Sequence, residues 1–432
     1  MIHSFIALAI FVAAFVMIAT ERINKVLVVL VASAAMVVTG VSPGSEIFYS
    51  HEVGIDWDVI FLLLGMMIIV GVLKQTGLFE YLGVWAAKKS KGHPYRLMVM
   101  LMLITAIASP ILDNVTIIML VVPVTIVVCD RLHVPAQPYI IAEILASNIG
   151  GAATLIGDPP NIIIANRGGL TFNDFIVHMM PIVVVTFVLF VFLTRFMFRK
   201  EFQYNPGYVD SVMALQERRA ITDGPMLIKS LIVLAAVIVG FTLHSVLNLA
   251  PSIIALIGAL VMILVTGIDI KEVITEVEWP TLVFFAGLFI MVGALVYTGV
   301  IATIGHWAIE TFGHDYTLAG AVLLFGSAIL GAFFDNIPYA ATMAPIVDVL
   351  INAGTDPRNG EFLWWAFALG ADFGGNGTAV AASANVVGIG LAARAGHPIS
   401  FWHFTKYGIV TLVFSTAIAW VYIYLRYIVL AG

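Results

Sequence analysis

The feature that most constrains this chain is an internal repeat of residues that apolar membrane helices ordinarily avoid. Asp113-Asn114 recurs 222 positions later as Asp335-Asn336. The same shift relates Trp57 to Trp279, Gly65 to Gly287, Gly71 to Gly293 and Pro123 to Pro345. A shift of 224 positions relates Gly150, Gly151, Thr154 and Asn161 to Gly374, Gly375, Thr378 and Asn385. Repetition of glycines, acids and amides in register indicates two copies of one fold.

The sequence around these residues is typical of a multi-pass membrane protein. It is 61% hydrophobic and 11% charged, whereas soluble domains carry about 25% charged residues. Apolar stretches of roughly 17 to 25 residues, each able to cross a bilayer, follow one another along the chain. We predict an all-α polytopic membrane protein with apolar segments at 2–20, 26–41, 56–73, 97–128, 138–165, 177–199, 226–247, 252–268, 279–297, 317–352, 362–391 and 404–428. Segment 2–20 lacks a preceding basic residue and a following small-residue cleavage site, so we expect a retained helix rather than a removed signal peptide.

Each copy contains one long segment and one broken segment. Segments 97–128 and 317–352 hold Asp-Asn in their middles and are interpreted as re-entrant hairpins. Segment 138–165 is interpreted as an interrupted helix, because its glycines and prolines do not support a continuous helix. Segment 362–391 is interpreted in the same way as its repeat equivalent, although Ser383 and Ala384 replace the prolines there. The predicted organisation is a first repeat at 1–199, a cytoplasmic linker at 200–224 and a second repeat at 225–432.

The basic residues separate by face when the chain is threaded through these segments. One face carries Arg22, Lys25, Lys74, Lys88, Lys89, Lys91, Arg96, Arg131, Arg195, Arg199, Lys200, Arg218, Arg219, Lys229, Lys271, Arg394 and Lys406, and the other carries Arg167, Arg358 and Arg426. By the positive-inside rule the first face is cytoplasmic, so we predict a protein of the cytoplasmic membrane. Five crossings and one hairpin per copy make the second copy inverted. Inverted repeats with interrupted helices are typical of secondary transporters, although some channels share inverted repeats.

The hairpin tips and broken segments supply the polar residues for a transport site. Unwound backbone at membrane depth is tolerated where it lines protein or a watery cavity, and its freed carbonyls can bind a cation. The candidate substrate- or ion-binding residues are Asp113, Asn114, Thr116, Asn148, Gly150, Gly151, Thr154, Asp158, Asn161, Asp335, Asn336, Asp372, Gly374, Gly375, Asn376, Thr378, Ser383 and Asn385. The alternatives are proline kinks with packing glycines in the helices and interfacial Asp-Asn turns at the tips.

Carboxyl groups are the most costly members of this set. A carboxylate at bilayer depth costs about 2.5–3.5 kcal/mol on insertion scales, so it requires a cation, a proton or half-helix amides as a partner. The candidates for a sodium site are Asp113, Asn148, Asp335 and Asp372, and we expect no cofactor other than sodium. The candidates for proton coupling are Glu143, Asp158 and Asp372, with Glu143 equally well interpreted as a buried hydrogen-bonded acid. Neither Asp158 nor Asp372 has an acidic equivalent in the other copy, so two identical ion sites are not expected.

The charge of the four interrupted segments limits the cargo. They contribute Asp113, Asp158, Asp335 and Asp372 and contain no Lys or Arg, whereas a multivalent anion ordinarily requires basic side chains. A metal cation, a proton or a neutral hydroxylated solute is favoured, and oxygen ligands alone do not select among hard cations. The lone Cys129 excludes disulfides and a cysteine-based metal site. No His-x-x-His, His-Glu-x-x-His or Gly-x-Ser-x-Gly pattern occurs, so we do not expect an enzyme.

Three motifs resemble the ion-transporter superfamily. They are the run Asn-Ile-Gly-Gly-Ala-Ala-Thr-Leu-Ile-Gly-Asp-Pro-Pro-Asn from Asn148 to Asn161, Asp113-Asn114, and Asp335-Asn336-Ile337-Pro338. The chain is most similar to the branch of arsenite permeases, D-type sodium–proton antiporters and the melanosomal P-protein, over nearly its whole length. This resemblance implies the fold of divalent-anion/sodium symporters, commonly dimeric, with a scaffold and an elevator-like transport domain at 97–165 and 317–391. Sodium-coupled anion members carry Ser-Asn-Thr at their tips, so Asp-Asn here argues against a di- or tricarboxylate cargo.

Several functions stay open at this point. The leading hypothesis is a secondary transporter that extrudes arsenite or antimonite, driven by a proton or ion gradient, because neutral arsenous acid requires no thiol. Sodium–proton antiport at the same carboxylates is second, sodium-coupled dicarboxylate transport third and an ion channel fourth. The expected partners are the lipid bilayer, a small inorganic solute or ion and a second copy in a homodimer. ATP-driven transport would need a separate ATPase subunit, since the chain has no nucleotide-binding loop, and no nucleic-acid partner is expected.

Overall fold

The computed structural model describes residues 2–20, 22–50, 52–202, 216–312, 315–352 and 361–430, with residues 207, 210, 213 and 214. These residues form twenty α-helices and no strand. The first half contains α1 (Ile2–Ala19), α2 (Lys25–Val38), α3 (Trp57–Gln75), α4 (Leu78–Ser90), α5 (Pro94–Ala108), α6 (Asn114–Leu132), α7 (Gln137–Gly151), α8 (Pro159–Gly168), α9 (Phe172–His178) and α10 (Met180–Met197). The second half contains α11 (Gly224–Leu247), α12 (Pro251–Thr266), α13 (Ile270–Glu276), α14 (Trp279–Tyr297), α15 (Val300–Phe312), α16 (Tyr316–Gly331), α17 (Asn336–Asn352), α18 (Phe362–Gly374), α19 (Ser383–Arg394) and α20 (Phe401–Ile423).

Many of these helices have the length and composition of membrane spans. Six are long and apolar enough to cross a bilayer, namely α3, α6, α10, α11, α14 and α20 with its continuation to Val429. Shorter apolar helices are α1, α2, α5, α12 and α16. The predicted class, an all-α polytopic membrane protein, is confirmed.

The helix bounds follow the repeat. α3 and α14 each have 19 residues, and α4 and α15 each have 13. α6 and α17 both begin at the asparagine of a hairpin tip, and the helices break between α7 and α8 and between α18 and α19. The inverted orientation of the copies and the repeat boundaries stay predictions. Arg358 and much of the linker 200–224 lie outside the described residues.

The two copies are intertwined rather than side by side. Within each copy the first hairpin arm packs on the first half of the broken helix, as α5 does on α7 and α16 on α18. The second hairpin arm packs on the other copy, as α6 does on α19 and α17 on α8. Helices α2 and α3 likewise pair with α14 and α12. The hairpins and broken helices of both copies therefore share one core.

Burial places the broken helices at the centre of this core. Every residue of α7 from Pro138 to Gly151 is buried, as is every residue of α18. In contrast, only 28% of the apolar window of α10, and 28% of that of α11, is buried. The outer helices thus present apolar side chains to lipid, while α7 and α18 carry their polar residues in the interior.

The inverted repeat predicts opposite sidedness for equivalent positions on α4 and α15. Lys89 and Thr311 occupy the same place in the two copies, and both are exposed. In a Cys129→Ala background we expect Lys89→Cys to react with an impermeant maleimide only in inside-out vesicles, because the positive-inside rule places it in the cytoplasm. Thr311→Cys should react only in right-side-out vesicles. Labelling of both positions from one side would contradict the inversion.

Candidate functional site

Each hairpin tip ends in an aspartate that caps the following helix. Asp113 accepts hydrogen bonds from the backbone N–H and the hydroxyl of Thr116, at 2.9 and 2.6 Å. Asp335 accepts one from the backbone N–H of Ile337 at 3.2 Å. A helix N-terminus carries partial positive charge, so each half-helix offsets part of the cost of its own carboxylate.

The asparagines that follow these aspartates converge on Asp158. Asn114 Nδ2 donates to Asp158 Oδ2 at 2.7 Å, and Asn336 Nδ2 donates to Oδ1 at 3.4 Å. The Ser109 hydroxyl, 2.5 Å from Asn114 Oδ1, holds the first of these amides in place. Asp158 has Ala382 as its repeat equivalent. Two equivalent residues of the two copies therefore bind one acid that only the first copy possesses.

Matching hydrogen bonds hold the breaks of the two interrupted helices. Asn161 donates to the Thr154 carbonyl at 3.1 Å, and its equivalent Asn385 donates to the Thr378 carbonyl at 2.8 Å. The hydroxyls of both threonines donate to carbonyls in the adjacent hairpin turns, at 2.5 and 2.6 Å. The protein itself thus satisfies much of the unwound backbone, as the membrane interior requires.

Asn148 joins the two breaks. Its Nδ2 lies 3.0 Å from Asn385 Oδ1 and 3.3 Å from both the Gly375 carbonyl and Asn376 Oδ1. Asn385 also donates to the Gly375 carbonyl at 2.7 Å. This amide cluster links α7 of the first copy to the broken helix of the second.

Asp372, the repeat equivalent of Asn148, has the fewest hydrogen bonds of the buried polar side chains near the two helix breaks. It is fully buried, and neither of its carboxylate oxygens accepts a hydrogen bond of normal geometry from a described residue. Asn148 Oδ1 and Asn161 Oδ1 are also buried without a donor. The Asn161 side chain lies beside Asp372, and Asp158 is near enough for the two carboxylates to repel each other. Asp372, Asn148 and Asn161 thus contribute four buried side-chain oxygens that have no hydrogen-bond donor among the described residues.

Asp335 has a partner that the sequence analysis missed. Lys25 Nζ, at the start of α2, lies 2.9 Å from Asp335 Oδ2 and 2.8 Å from Ser383 Oγ. Ser383 in turn donates to Asp335 at 3.2 Å. No basic residue occurs at 247–251, where α12 begins, so the sequence offers no such partner for Asp113. This asymmetry between the copies was the signal that could have singled out Lys25.

A cavity of about 420 Å³ lies beside this ion pair, at the start of α14. Lys25, Asp335, Ser383 and Glu278 contribute its charged and polar wall, and apolar side chains of α1, α6 and the second hairpin complete it. Burial raises the pKa of Glu278, and the negative charge of Asp113 raises it further. Sequence reasoning missed Glu278 as well, because a lone acid before a span is ordinarily a helix cap.

A second cavity, of about 320 Å³, lies at the other end of α14. Its charged residues include Asp56, Arg167 and Asp348. Arg167 Nε lies 3.2 Å from Asp348 Oδ2, so this pair closes part of the wall. The two cavities therefore approach the core from opposite ends of the same helix.

Glu143 lies apart from the hairpin tips, fully buried between α6 and α7. The Thr125 hydroxyl donates to its Oε1 at 2.6 Å, while Oε2 has no partner among the described residues. The interpretation as a buried hydrogen-bonded acid therefore has a structural basis. Its role in proton coupling stays a prediction.

The repeated glycines permit close packing at the centre. A Cβ on Gly150 would lie 2.5 Å from the Ala106 carbonyl oxygen, and one on Gly151 would lie 2.7 Å from that of Gly157. In the second copy, a Cβ on Gly374 would lie 3.1 Å from the Ala328 carbonyl oxygen. Gly150 and Gly374 thus pack against the first hairpin arms, α5 and α16, while Gly151 lies against the unwound segment beyond α7.

Buried acids and amides on broken membrane helices are typical of transporters, and comparison with known proteins agrees. The chain belongs to the CitMHS family, described as citrate transporters, whose model matches residues 15–370. It is 51% identical to a Mycobacterium tuberculosis protein named uncharacterized transporter Rv2684, over 99% of each chain. It is also 32% identical to the human P protein, over 98% of this chain and 60% of that protein. The resemblance inferred from the motifs is therefore confirmed.

A solved structure shares the fold. MtrF of Neisseria gonorrhoeae, described as illuminating a class of antimetabolite efflux pumps, superimposes with a TM-score of 0.62. The match covers 93% of this chain and 85% of MtrF, at 14% sequence identity. At that identity the likeness concerns the fold alone.

The pair between Lys25 and Asp335 predicts a coupled loss of stability. Removing one partner leaves a partly buried charge alone, whereas removing both does not. We expect Lys25→Met and Asp335→Asn each to lower the unfolding temperature in detergent, and the double variant to recover part of the loss. Because the Lys25 side chain is 38% exposed, the coupling should be about 1 kcal/mol rather than the 3–5 of a fully buried pair. Strictly additive losses would contradict it.

The close approach at Gly151 predicts a steric effect. Gly151→Ala should destabilise the protein by about 1–3 kcal/mol, because the added methyl group meets backbone that must move. Gly390→Ala is the matched control, since a Cβ there meets no atom within 4 Å. It should be neutral or slightly stabilising, as alanine is the better helix former. Equal thermal unfolding of both variants would count against the packing role.

Proposed function

We propose that this protein is a secondary transporter that exchanges sodium ions for protons at a buried centre formed by Asp158, Asp372, Asn148 and Asn161. The observation that carries the proposal is Asp372, a fully buried carboxyl group whose oxygens accept no hydrogen bond of normal geometry from a described residue. A buried carboxylate without a partner is costly, so it must be neutralised by a proton or a cation. Those are the two states between which an exchanger alternates.

The second acid of the centre supports the same reading. Asp158 is held by the amides of Asn114 and Asn336, which can donate to its ionised form. Two carboxylates that repel each other in an apolar interior favour uptake of one positive charge between them. We infer that a cation and a proton compete for this centre. Because only one of them is bound at a time, the transport of one is coupled to the transport of the other in the opposite direction.

The ligand set fits sodium. Hard cations prefer oxygen ligands, and the unpaired oxygens of Asp372, Asn148 and Asn161 are all of this kind. Among the residues that the structure describes, no group of three or more His, Cys, Asp or Glu side chains could hold a metal ion. A site for a transition metal would require such a cluster or softer ligands.

Lys25 limits the number of cations. Its ammonium group already neutralises Asp335 and binds Ser383, as a bound cation would. We infer that the second hairpin tip carries this tethered charge in place of an exchangeable ion. One exchange centre per chain follows.

Efflux of arsenite or antimonite is the second candidate. The 420 Å³ cavity has room for a small hydroxylated solute, and Asp335, Ser383 and Glu278 can hydrogen-bond to one. The only thiol, Cys129, is fully buried in α6, so a neutral solute would be recognised through oxygen atoms. Export of the solute would then be driven by a proton or sodium gradient, with the coupling ion bound at the same central carboxyl groups.

A di- or tricarboxylate, the substrate class in the family's description, is less well supported by this site. The one basic residue among the described lining of the 420 Å³ cavity is Lys25, which Asp335 already pairs. Glu278 adds a further acid to the same wall. An organic anion would have to displace Asp335 from Lys25, which costs the existing ion pair.

Purified protein in liposomes with a trapped pH indicator tests these alternatives. We expect an inward sodium gradient to raise the internal pH with saturable kinetics, because sodium entry releases protons outward. Asp372→Asn and Asp158→Asn should each reduce the rate by at least about 10–100-fold, the loss that results at metal sites when only a group supporting a ligand is replaced. Asp130→Asn, at an exposed aspartate of α6, is the matched control and should retain the rate.

The same vesicles are then given arsenite or citrate instead of sodium. Proton movement that requires arsenite would support the second candidate, and movement that requires citrate the third. A response to sodium that survives both central substitutions would refute the exchange centre. Conductance without coupling would indicate a channel.

A further inference from the structure

A third cavity, of about 580 Å³, lies where α5 begins and α10 ends, away from the hairpin tips. Four basic side chains line it, those of His93, Arg96, Arg195 and Arg199. None of the described residues that line it is acidic. We call this cavity the basic pocket, and nothing in the transport cycle proposed above uses it.

Tyr95 builds the wall of the basic pocket. Its hydroxyl donates to the Val191 carbonyl at 2.8 Å, which fastens the start of α5 to α10. Its ring meets Phe202 edge-on at 5.3 Å, and the Arg195 guanidinium lies 5.5 Å from the ring centre. Cation–π contact of this kind orients a guanidinium without using its N–H donors. Arg195 is therefore positioned by this contact, and no acceptor among the described residues forms a hydrogen bond with its N–H groups.

The basic pocket contains more positive charge than is needed to offset the partial negative charge at the C-terminal end of α10. The last turn of α10 carries about half a negative charge, which one cation offsets. Arg195 and Arg199 both project from this end, and Arg96 approaches from the first turn of α5, where a helix N-terminus adds partial positive charge. This concentration of cations favours a polyvalent anion, and arginine forks match phosphate oxygens in pairs.

The apolar surface next to the basic pocket indicates the source of the phosphate. Phe192 and Phe196 lie four residues apart on one face of α10, and Arg199 follows just beyond the end of that helix. The side chain of Phe192 is 60% exposed and that of Phe196 is 75% exposed. A free phosphate ion gains nothing from this surface, whereas the acyl chains of a lipid would cover it. The basic side of the pocket also lies on the predicted cytoplasmic face, where anionic lipid headgroups attract Lys and Arg.

We propose that the basic pocket binds the headgroup phosphate of an acidic phospholipid from the cytoplasmic leaflet, with its acyl chains along Phe192 and Phe196. The lipid would bridge α5, an arm of the first hairpin, and α10. Binding of a ligand to the folded state alone stabilises it in proportion to the logarithm of its concentration. The bound lipid is thus expected to stabilise the contact between these helices.

Native mass spectrometry and thermal unfolding in neutral detergent test this proposal. Phosphatidylglycerol is compared with phosphatidylcholine of the same acyl chains and with inorganic phosphate. We expect phosphatidylglycerol alone to form persistent adducts and to raise the unfolding temperature. Arg195→Gln/Arg199→Gln should weaken this binding by roughly tenfold or more, since each arginine contributes to the attraction of an anionic headgroup.

The matched control is Arg218→Gln/Arg219→Gln, which removes two exposed arginines of the linker. It should leave phosphatidylglycerol binding unchanged, and an equal loss would mean that binding follows net charge rather than this pocket. Equal adducts with phosphatidylcholine, measured on the unmodified protein, would overturn the proposal. Equal protection by inorganic phosphate would replace the lipid with a free anion. If the double variant does not fold, Arg199→Gln alone must still lower the affinity for phosphatidylglycerol.

Discussion

The core of this protein depends on hydrogen bonds to the backbone groups of its interrupted helices and to its buried carboxyl groups, because little water reaches them. A helix that unwinds at membrane depth exposes carbonyl and N–H groups that each cost several kcal/mol when unpaired. Here the side chains of Asn161 and Asn385 bind the carbonyls of Thr154 and Thr378, and the two threonine hydroxyls bind the hairpin turns. The same short list of amides and hydroxyls recurs in both copies because each copy meets the same physical requirement.

The two copies differ in which of their equivalent positions carry an acid, so the polar residues at the core are not arranged symmetrically. Equivalent asparagines at the two tips donate to Asp158, which has no acidic counterpart. The reverse holds for Asp372, whose equivalent is Asn148 and whose oxygens lack described donors. At the second tip, the ammonium group of Lys25 lies beside the carboxylate of Asp335 and balances its charge. A symmetric scaffold thus supports one asymmetric site, because the backbone constraints are shared while the charges are not.

Much of the architecture was accessible from the sequence. Apolar runs predicted the membrane class, and Asp113-Asn114 and Asp335-Asn336 predicted the tips. Glycines, with two prolines in the first copy only, predicted interruptions within 138–165 and 362–391, and the structure has them at 152–158 and 375–382. These features are local in the chain, so pattern reading finds them. The sequence did not show which polar residues of the site lie next to one another. Lys25 and Asp335 are 310 residues apart, and only tertiary packing brings them within 2.9 Å.

The sequence by itself determined that the chain is an all-helical membrane protein with a repeated set of acids, amides and glycines at its interruptions. Composition and periodicity suffice for this, because lipid admits few backbone solutions. The tertiary structure alone decided which polar groups are satisfied. Asp113 accepts hydrogen bonds from Thr116, Asp335 forms an ion pair with Lys25, and Asp158 accepts hydrogen bonds from two asparagines. Neither oxygen of Asp372 accepts a hydrogen bond of normal geometry from a described residue. Hydrogen bonds require distance and direction, and for residues far apart in the chain those are set only when the helices pack.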